Sequence, residues 1–324
     1  MPTAASHPPT APPSTGWSAL PLEYAIPDHA PSEAEAREYC RRLARSHYEN
    51  FSVASWFLPR PLRQHFFNVY AYCRISDDLG DEVGDSVASL QLLDQWEMEL
   101  NACYEGHPRH PVFVALGETV RKFEIPKHEF ADLLSAFRQD QTVTRYETFN
   151  DLLGYCRYSA NPVGHLVLYL CGYRDAERQQ LSDCTCTALQ LANFWQDVSA
   201  DFARGRIYLP LEDLRRFGVS EDSIRAGENS TEFCAMMQFE VDRAQEWFAQ
   251  GLPLIAKVDR KLATDIELFS RGGQEILHAI ECQDYAVLGR RPAISKGRKL
   301  SLVARAALGK LLGKQIGKQS RNQR

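Results

Sequence analysis

An oxygen-rich stripe within an apolar segment is the most informative feature of the sequence: Gln190-Leu-Ala-Asn193-Phe-Trp-Gln196-Asp197-Val-Ser-Ala-Asp201-Phe-Ala-Arg204. Asn193, Asp197 and Asp201 recur at every fourth position, which advances only about 40° per step around an α-helix. Their side chains therefore share one face, and Phe194 and Trp195 place apolar bulk beside it. We predict a packed helix that presents carboxylate and amide oxygens to an interior cavity.

A second acidic helix is predicted earlier in the chain, at Tyr70-Ala-Tyr-Cys-Arg74-Ile-Ser-Asp77-Asp78-Leu-Gly-Asp81-Glu82. Asp77 and Asp81 lie one turn apart on one face, and Arg74 lies one turn before them. Like charges at this spacing destabilise an isolated helix, so a cation is expected to compensate them. Mg²⁺ is the natural candidate, because it prefers carboxylate oxygens and shares its octahedron with water and substrate phosphates.

Two such helices facing one cavity suit the ionisation of an allylic diphosphate. Metal ions and basic groups neutralise the charge that builds on the leaving group, and a dry pocket with aromatic faces accommodates the cation that remains. The alternative is that each acidic face is merely solvated, which is common for a single Asp-Asp-x-x-Asp. Two motifs, each embedded in apolar sequence and paired with arginine, favour the metal site.

The rest of the chain also favours an all-α fold. Apolar residues recur at three- and four-residue intervals from about residue 33 to about residue 291, and no sustained two-residue alternation is present. Ser32-x-x-Glu35 predicts a capping box for a helix through Arg45, and Asn161-Pro162-Val-Gly164 predicts a kinked or split helix. We predict one helical domain over residues 33–295, preceded by a Pro-rich flexible tail over residues 1–32.

The charge distribution restricts the partners. The net charge of −5 argues against nucleic-acid binding. The nine cysteines are dispersed along the sequence, which indicates free thiols in a reducing cytoplasm. No apolar run is long enough to span a membrane. Residues 296–324 carry nine basic side chains and no acidic ones. We consider two interpretations of this segment, a basic amphipathic helix on the cytoplasmic face of the inner membrane and a solvated tail.

At these motifs the sequence resembles the squalene/phytoene synthase family of isoprenoid synthases, over about residues 38–291. The resemblance rests on Tyr-x-x-Cys-Arg before Asp77-Asp78-x-x-Asp81, on Asn193-x-x-x-Asp197-x-x-x-Asp201, and on Gly205-Arg206-Ile-Tyr208-Leu-Pro210. It implies an all-α isoprenoid synthase fold around a central cavity. It also implies two or three Mg²⁺ ions bound by both helices, with ligands among Asp77, Asp78, Asp81, Asn193, Asp197 and Asp201.

The resemblance also implies a set of substrate contacts. Arg74, Arg206, Tyr208, Tyr285 and Arg290 are expected at the diphosphate, and Tyr70 and Phe51 in the pocket wall, where simple core packing is the alternative. Gln190 and Gln196, from the second motif, complete the expected substrate-binding residues.

Within the family, residues 49–55, 159–164 and 193–197 resemble hydroxysqualene synthases of bacterial hopanoid biosynthesis. The expected reaction converts presqualene diphosphate and water to hydroxysqualene and diphosphate, without NADPH. Gln196 stands where many members carry arginine. A neutral amide there provides less charge for a second diphosphate and is able to hydrogen-bond a water molecule. Two alternatives stay open: head-to-head condensation of two prenyl diphosphates to presqualene diphosphate, squalene or phytoene, and a non-catalytic assembly factor of the same fold.

Overall fold

The computed structural model describes residues 20–46 and 60–294, and within these ranges every regular element is helical. In the described part of the chain a short 3₁₀ turn at Leu22–Tyr24 is followed by thirteen α-helices. They are α1 Glu33–Ser46, α2 Arg63–Asp81, α3 Ser86–Glu105, α4 Pro111–Phe123, α5 Lys127–Gln139, α6 Phe149–Ser159, α7 Asn161–Leu170, α8 Ala176–Ala203, α9 Leu211–Phe217, α10 Glu221–Arg225, α11 Thr231–Gly251, α12 Leu254–Lys257 and α13 Arg260–Glu281. The all-α prediction is confirmed.

Two local predictions from the sequence are also confirmed. The Ser32 and Glu35 side chains form the expected cap at the start of α1, where the Ser32 amide donates to Glu35 Oε2 at 2.9 Å. The predicted break near Asn161 separates α6 from α7 at Ala160. Gly164 on α7 lies so close to α8 that a Cβ atom there would be 2.3 Å from Ser182 Oγ.

The helix α2 is held against the first of two apolar cores. Tyr72, Ile75 and Leu79 are fully buried on one side of α2, and the Tyr72 hydroxyl donates to the Phe130 carbonyl at 2.8 Å. Burial of an apolar face with its polar atoms satisfied stabilises the orientation of the helix. The opposite side of α2 carries Asp77.

The long helix α8 passes through the second core and positions the other acidic motif. Trp195 is fully buried, with Phe194 and Leu191 beside it, and its indole N–H donates to the Glu240 carbonyl of α11 at 3.1 Å. Glycines allow close packing of α13 on this core: a Cβ atom at Gly273 would lie 2.4 Å from the Phe248 ring.

Residues 1–19 of the predicted Pro-rich tail lie outside the described residues, whereas residues 20–32 differ from a flexible tail. Leu20 and Tyr24 are buried in the first core, with Tyr24 only 2% exposed. Tyr24 holds this part of the chain because its ring packs in the core while its hydroxyl donates to Asp78 Oδ2 at 2.7 Å. The basic segment of residues 296–324 lies outside the described residues, so its contact with a membrane surface remains a prediction.

Candidate active site

The first acidic motif lies in the last turn of α2. Asp77 is 3.5 Å from the Arg74 guanidinium, and Asp81 follows one turn later. Burial, and after it the negative charge of Asp81, raises the pKa of Asp77 to about 6. A carboxyl group whose ionised form is disfavoured by burial and by a neighbouring carboxylate indicates a site suited to a cation.

Asp78 does not share this arrangement, although the resemblance implied that it binds metal. Its side chain is 6% exposed and accepts hydrogen bonds from Tyr24 and from both Nε and Nη2 of Arg74. Both carboxylate oxygens are therefore engaged within the protein. A step of one residue turns a helix by about 100°, which directs Asp78 away from Asp77 and toward the core. We assign Asp78 to the packing of the N-terminal segment and to the alignment of Arg74.

The second motif occupies the C-terminal half of α8. Asn193 is exposed, Asp197 and Asp201 are partly buried, and Gln190 lies two turns before Asp197 on the same face. Burial, and then the charge of Asp197, raises the pKa of Asp201 to about 7. As predicted, these oxygens form one stripe opposite the buried face of α8.

Arg206 joins the two motifs. Its guanidinium donates to Asp81 from both terminal nitrogens at 3.1 Å, while its backbone amide donates to the Asp201 carbonyl at 2.9 Å. Gly205, with φ of +82°, makes the turn after α8 that directs Arg206 back toward the acidic motifs. Asp81 also adds to the rise in the pKa of Asp201. The two acidic motifs therefore belong to one site.

A cluster of aromatic rings lies beside this site. Tyr208 stacks on Phe194 with ring centroids 3.9 Å apart, and Tyr146 and Tyr155 complete the cluster. Tyr208 was predicted to contact the diphosphate, and the structure places its ring in this stack. The cluster supplies a dry aromatic surface behind the carboxylates.

Asp140 is a candidate that the sequence prediction missed. Its Oδ2 accepts from the Tyr155 hydroxyl at 2.8 Å, whereas its buried Oδ1 has no hydrogen-bond partner among the described residues. Burial is the main reason that the pKa of Asp140 rises to about 6. Asp140 lies among polar residues at the end of α5, so its local sequence gave no signal, and only the fold places it beside Arg206.

The C-terminal segment also reaches the second motif, through a residue that was not predicted. Arg291 donates to both oxygens of Asp197, with 2.9 Å between Nη2 and Oδ2. Arg290, the predicted contact, is exposed, and Tyr285 packs partly buried against the second core. Gln196 is buried and hydrogen-bonded at both ends of its amide, so its predicted hydrogen bond to a water molecule is not supported.

Two predicted residues of the pocket wall have different outcomes. Tyr70 is half-buried one turn before Arg74, and burial raises its pKa. Phe51 lies outside the described residues, and its predicted place in the pocket stays a prediction.

These side chains suit a magnesium ion that is also coordinated by a substrate better than one coordinated by protein side chains alone. Among the described residues no group of three or more His, Cys, Asp or Glu side chains converges to hold a metal. The carboxylates instead pair with guanidinium groups, Asp81 with Arg206 and Asp197 with Arg291. Mg²⁺ is commonly held by one or two carboxylates together with phosphate oxygens and water, which is what this arrangement offers.

The described residues contain no helix that is both long and apolar enough to cross a lipid bilayer.

Comparisons with known proteins agree with this geometry. The sequence profile of the squalene/phytoene synthase family matches residues 44–298. The crystal structure of the squalene synthase HpnC from Alicyclobacillus acidocaldarius is similar, with a TM-score of 0.75 and 46% identity over 83% of this chain and 98% of that one. A dehydrosqualene synthase structure superposes with a TM-score of 0.77 at 28% identity, over 85% and 96% of the two chains.

A curated relative shows the same relationship at the level of sequence. The 15-cis-phytoene synthase of Synechocystis sp. is 31% identical over 281 residues, which is 83% of each protein. With its isoprenoid synthase fold, this chain belongs to the squalene/phytoene synthase family of head-to-head prenyl transferases and is an enzyme of isoprenoid diphosphates.

Proposed function

We propose that this enzyme is a hydroxysqualene synthase, which converts presqualene diphosphate and water to hydroxysqualene and diphosphate. The observation that carries the proposal is the resemblance of residues 159–164 and 193–197 to hydroxysqualene synthases. The squalene synthase HpnC, at 46% identity, is also more similar in sequence than the dehydrosqualene synthase, at 28%. Gln196 supports it, because it stands where many family members carry arginine. The reaction breaks the carbon–oxygen bond to diphosphate, rearranges the cyclopropylcarbinyl cation, and forms a new carbon–oxygen bond to water with loss of one proton.

Magnesium would be held by five oxygen-bearing side chains from the two motifs: Asp77, Asp81, Asn193, Asp197 and Asp201. When bound, Mg²⁺ stabilises the negative charge on the departing diphosphate. Asp78 is omitted from this set because its two oxygens already accept from Tyr24 and Arg74.

The side chains around this set have distinct tasks in the proposed reaction. Arg74 and Arg206 hold positive charge beside Asp77 and Asp81, where the guanidinium groups are placed to bind phosphate oxygens. The stacked rings of Phe194 and Tyr208 form a buried apolar wall that excludes water from one side of the site.

Head-to-head condensation of two prenyl diphosphates is the second candidate. The phytoene synthases among the relatives favour it, at 28–31% identity over more than four-fifths of this chain. A condensing enzyme must accommodate two prenyl diphosphates and therefore two diphosphate groups, whereas the proposed reaction uses one isoprenoid substrate with a single diphosphate group.

Product analysis after incubation with a single substrate separates these candidates. Purified enzyme with Mg²⁺ is given presqualene diphosphate or farnesyl diphosphate, each with and without NADPH. We expect hydroxysqualene from presqualene diphosphate in both cases and no product from farnesyl diphosphate alone. Consumption of farnesyl diphosphate as sole substrate would overturn the proposal.

Matched amide variants test whether the motifs carry the activity. Asp77→Asn and Asp197→Asn retain side-chain shape but remove a charged metal ligand, and each is expected to lower kcat by at least about 100-fold. Asp222→Asn is the control, because Asp222 is an exposed residue of α10 paired only with a nearby arginine. Turnover retained in both motif variants would contradict the assignment.

A further inference from the structure

Residues 20–24 form a short segment before α1 that is anchored on the first core. Leu20 and Tyr24 are buried there, and the backbone carbonyl of Glu23 accepts a hydrogen bond from the Tyr39 hydroxyl at 2.8 Å. This segment precedes the region that the family profile matches. It nevertheless reaches the first acidic motif.

The contact between the segment and the motif is the hydrogen bond from Tyr24 to Asp78. The Tyr24 hydroxyl donates to Asp78 Oδ2 at 2.7 Å, and the same oxygen accepts from Arg74 Nε at 3.1 Å. The other oxygen, Oδ1, accepts from Arg74 Nη2. A carboxylate that accepts two parallel N–H groups fixes the plane of the guanidinium, and the Tyr24 hydroxyl in turn restrains the rotation of the carboxylate. The Asp78 side chain is only 6% exposed, so a water molecule cannot readily replace the hydroxyl.

The plane of the Arg74 guanidinium decides which of its N–H groups face the site. With Nε and Nη2 directed at Asp78, Nη1 lies 3.5 Å from Asp77 Oδ2. The Arg74 side chain remains 25% exposed. Guanidinium carries five N–H donors in a planar fork, so donors remain on the side of Asp77 for a phosphate oxygen. Rotation of the Asp78 carboxylate would turn this fork away.

The electrostatics of the three groups agree with this geometry. Burial, followed by the hydrogen bond and the charge of Asp78, raises the pKa of Tyr24, while the positive charge of Arg74 opposes the rise. The Tyr24 hydroxyl therefore keeps its proton at neutral pH and remains a hydrogen-bond donor. Asp78 accepts from two donors that come from different parts of the chain.

We propose that Tyr24 is a positioning residue for the diphosphate site: by restraining the Asp78 carboxylate, it holds Arg74 in the orientation that binds phosphate oxygens. The inference rests on the proposed metal–diphosphate site. Tyr24 acts through Asp78 and does not itself contact the substrate, because its ring is buried in the first core. The segment before α1 thereby contributes to substrate affinity as well as to stability.

Calorimetric titration of the full chain with inorganic pyrophosphate in saturating Mg²⁺ tests this role. Tyr24→Phe keeps the buried ring and removes only the hydroxyl, so we expect it to weaken pyrophosphate binding about 3- to 10-fold. Tyr39→Phe is the matched control, because it removes another buried hydroxyl that holds the same segment but binds Glu23 instead of Asp78. It should leave the affinity unchanged. Circular dichroism establishes that each variant is folded before titration.

A double-mutant cycle separates positioning from a structural effect. Arg74→Lys keeps the positive charge but has no planar fork to align, so adding Tyr24→Phe in that background should cause no further loss of pyrophosphate affinity. Equal losses in Tyr24→Phe and Tyr39→Phe, or the full Tyr24→Phe loss in the Arg74→Lys background, would overturn the inference. Unchanged affinity in Tyr24→Phe would also overturn it, while the diphosphate site stood. If wild-type protein bound no pyrophosphate with Mg²⁺, the proposed function would fail as well.

Discussion

Replacement of Gly273 by alanine tests how closely α13 packs on the core that positions the second acidic motif. The added Cβ atom would lie 2.4 Å from Phe248 Cζ and 2.8 Å from Leu189 Cδ2. Phe248 is 1% exposed, so its ring cannot move without displacing other core residues. Overpacking costs about 1–3 kcal/mol, and alanine regains up to about 1 kcal/mol of helix propensity. We expect Gly273→Ala to lower the free energy of unfolding by up to about 2 kcal/mol.

The neighbouring glycine provides a matched control on the same helix. A Cβ atom at Gly272 would have no described atom within 4 Å, so Gly272→Ala should raise the free energy of unfolding by up to about 1 kcal/mol. Urea denaturation followed by circular dichroism measures both variants, and the difference between them isolates the steric cost. If Gly273→Ala were as stable as Gly272→Ala, the close packing of α13 would be refuted.

Two further predictions concern buried charges. His165 lies between Asp183 and Glu129; burial alone would lower its pKa, but hydrogen bonds to these two carboxylates raise it to about 9. Its contribution to stability is therefore complete below about pH 6.5 and lost as the pH rises through about 9. Over that pH range the free energy of unfolding of the wild-type protein should fall by about 1–2 kcal/mol relative to that of His165→Gln, after allowance for partial exposure. Urea denaturation at a series of pH values measures the difference, and parallel pH profiles of the two proteins would refute the prediction. Asp78→Ala should cost about 2–4 kcal/mol, because it removes the buried acceptor of hydrogen bonds from both Tyr24 and Arg74. Tyr24→Phe removes only one of these hydrogen bonds and should cost about 1–2 kcal/mol; equal costs would contradict the assigned role of Asp78.

Features that depend on local sequence were predictable. The three- and four-residue apolar spacing indicated helices, and the Ser32 cap and the break before Asn161 lie where the sequence indicated them. Both acidic stripes also followed from helical geometry alone, since residues four apart share a face. These features need no knowledge of which helices pack together.

Features that depend on tertiary contacts were not predictable. Arg206 meets Asp81 across 125 residues of sequence, and Arg291 meets Asp197 across 94. The spacing of the first motif also gave no reason to treat Asp78 differently from Asp77 and Asp81. Asp78 points inward because of the way in which α2 is rotated on the first core. Its partner Tyr24 lies in a segment whose proline content suggested a tail. Composition describes a segment's average preference, whereas the burial of Leu20 and Tyr24 fixes this part of it.

We propose that the two acidic motifs jointly hold divalent ions and a diphosphate. Anomalous diffraction from crystals containing Mn²⁺ and pyrophosphate tests it most directly, because Mn²⁺ takes the same oxygen ligands as Mg²⁺ and is located without ambiguity. We expect Mn²⁺ peaks at both motifs, one beside Asp77 or Asp81 and one beside Asp197 or Asp201, with pyrophosphate oxygens bridging between them. Peaks confined to one motif, or bound elsewhere on the surface, would contradict it.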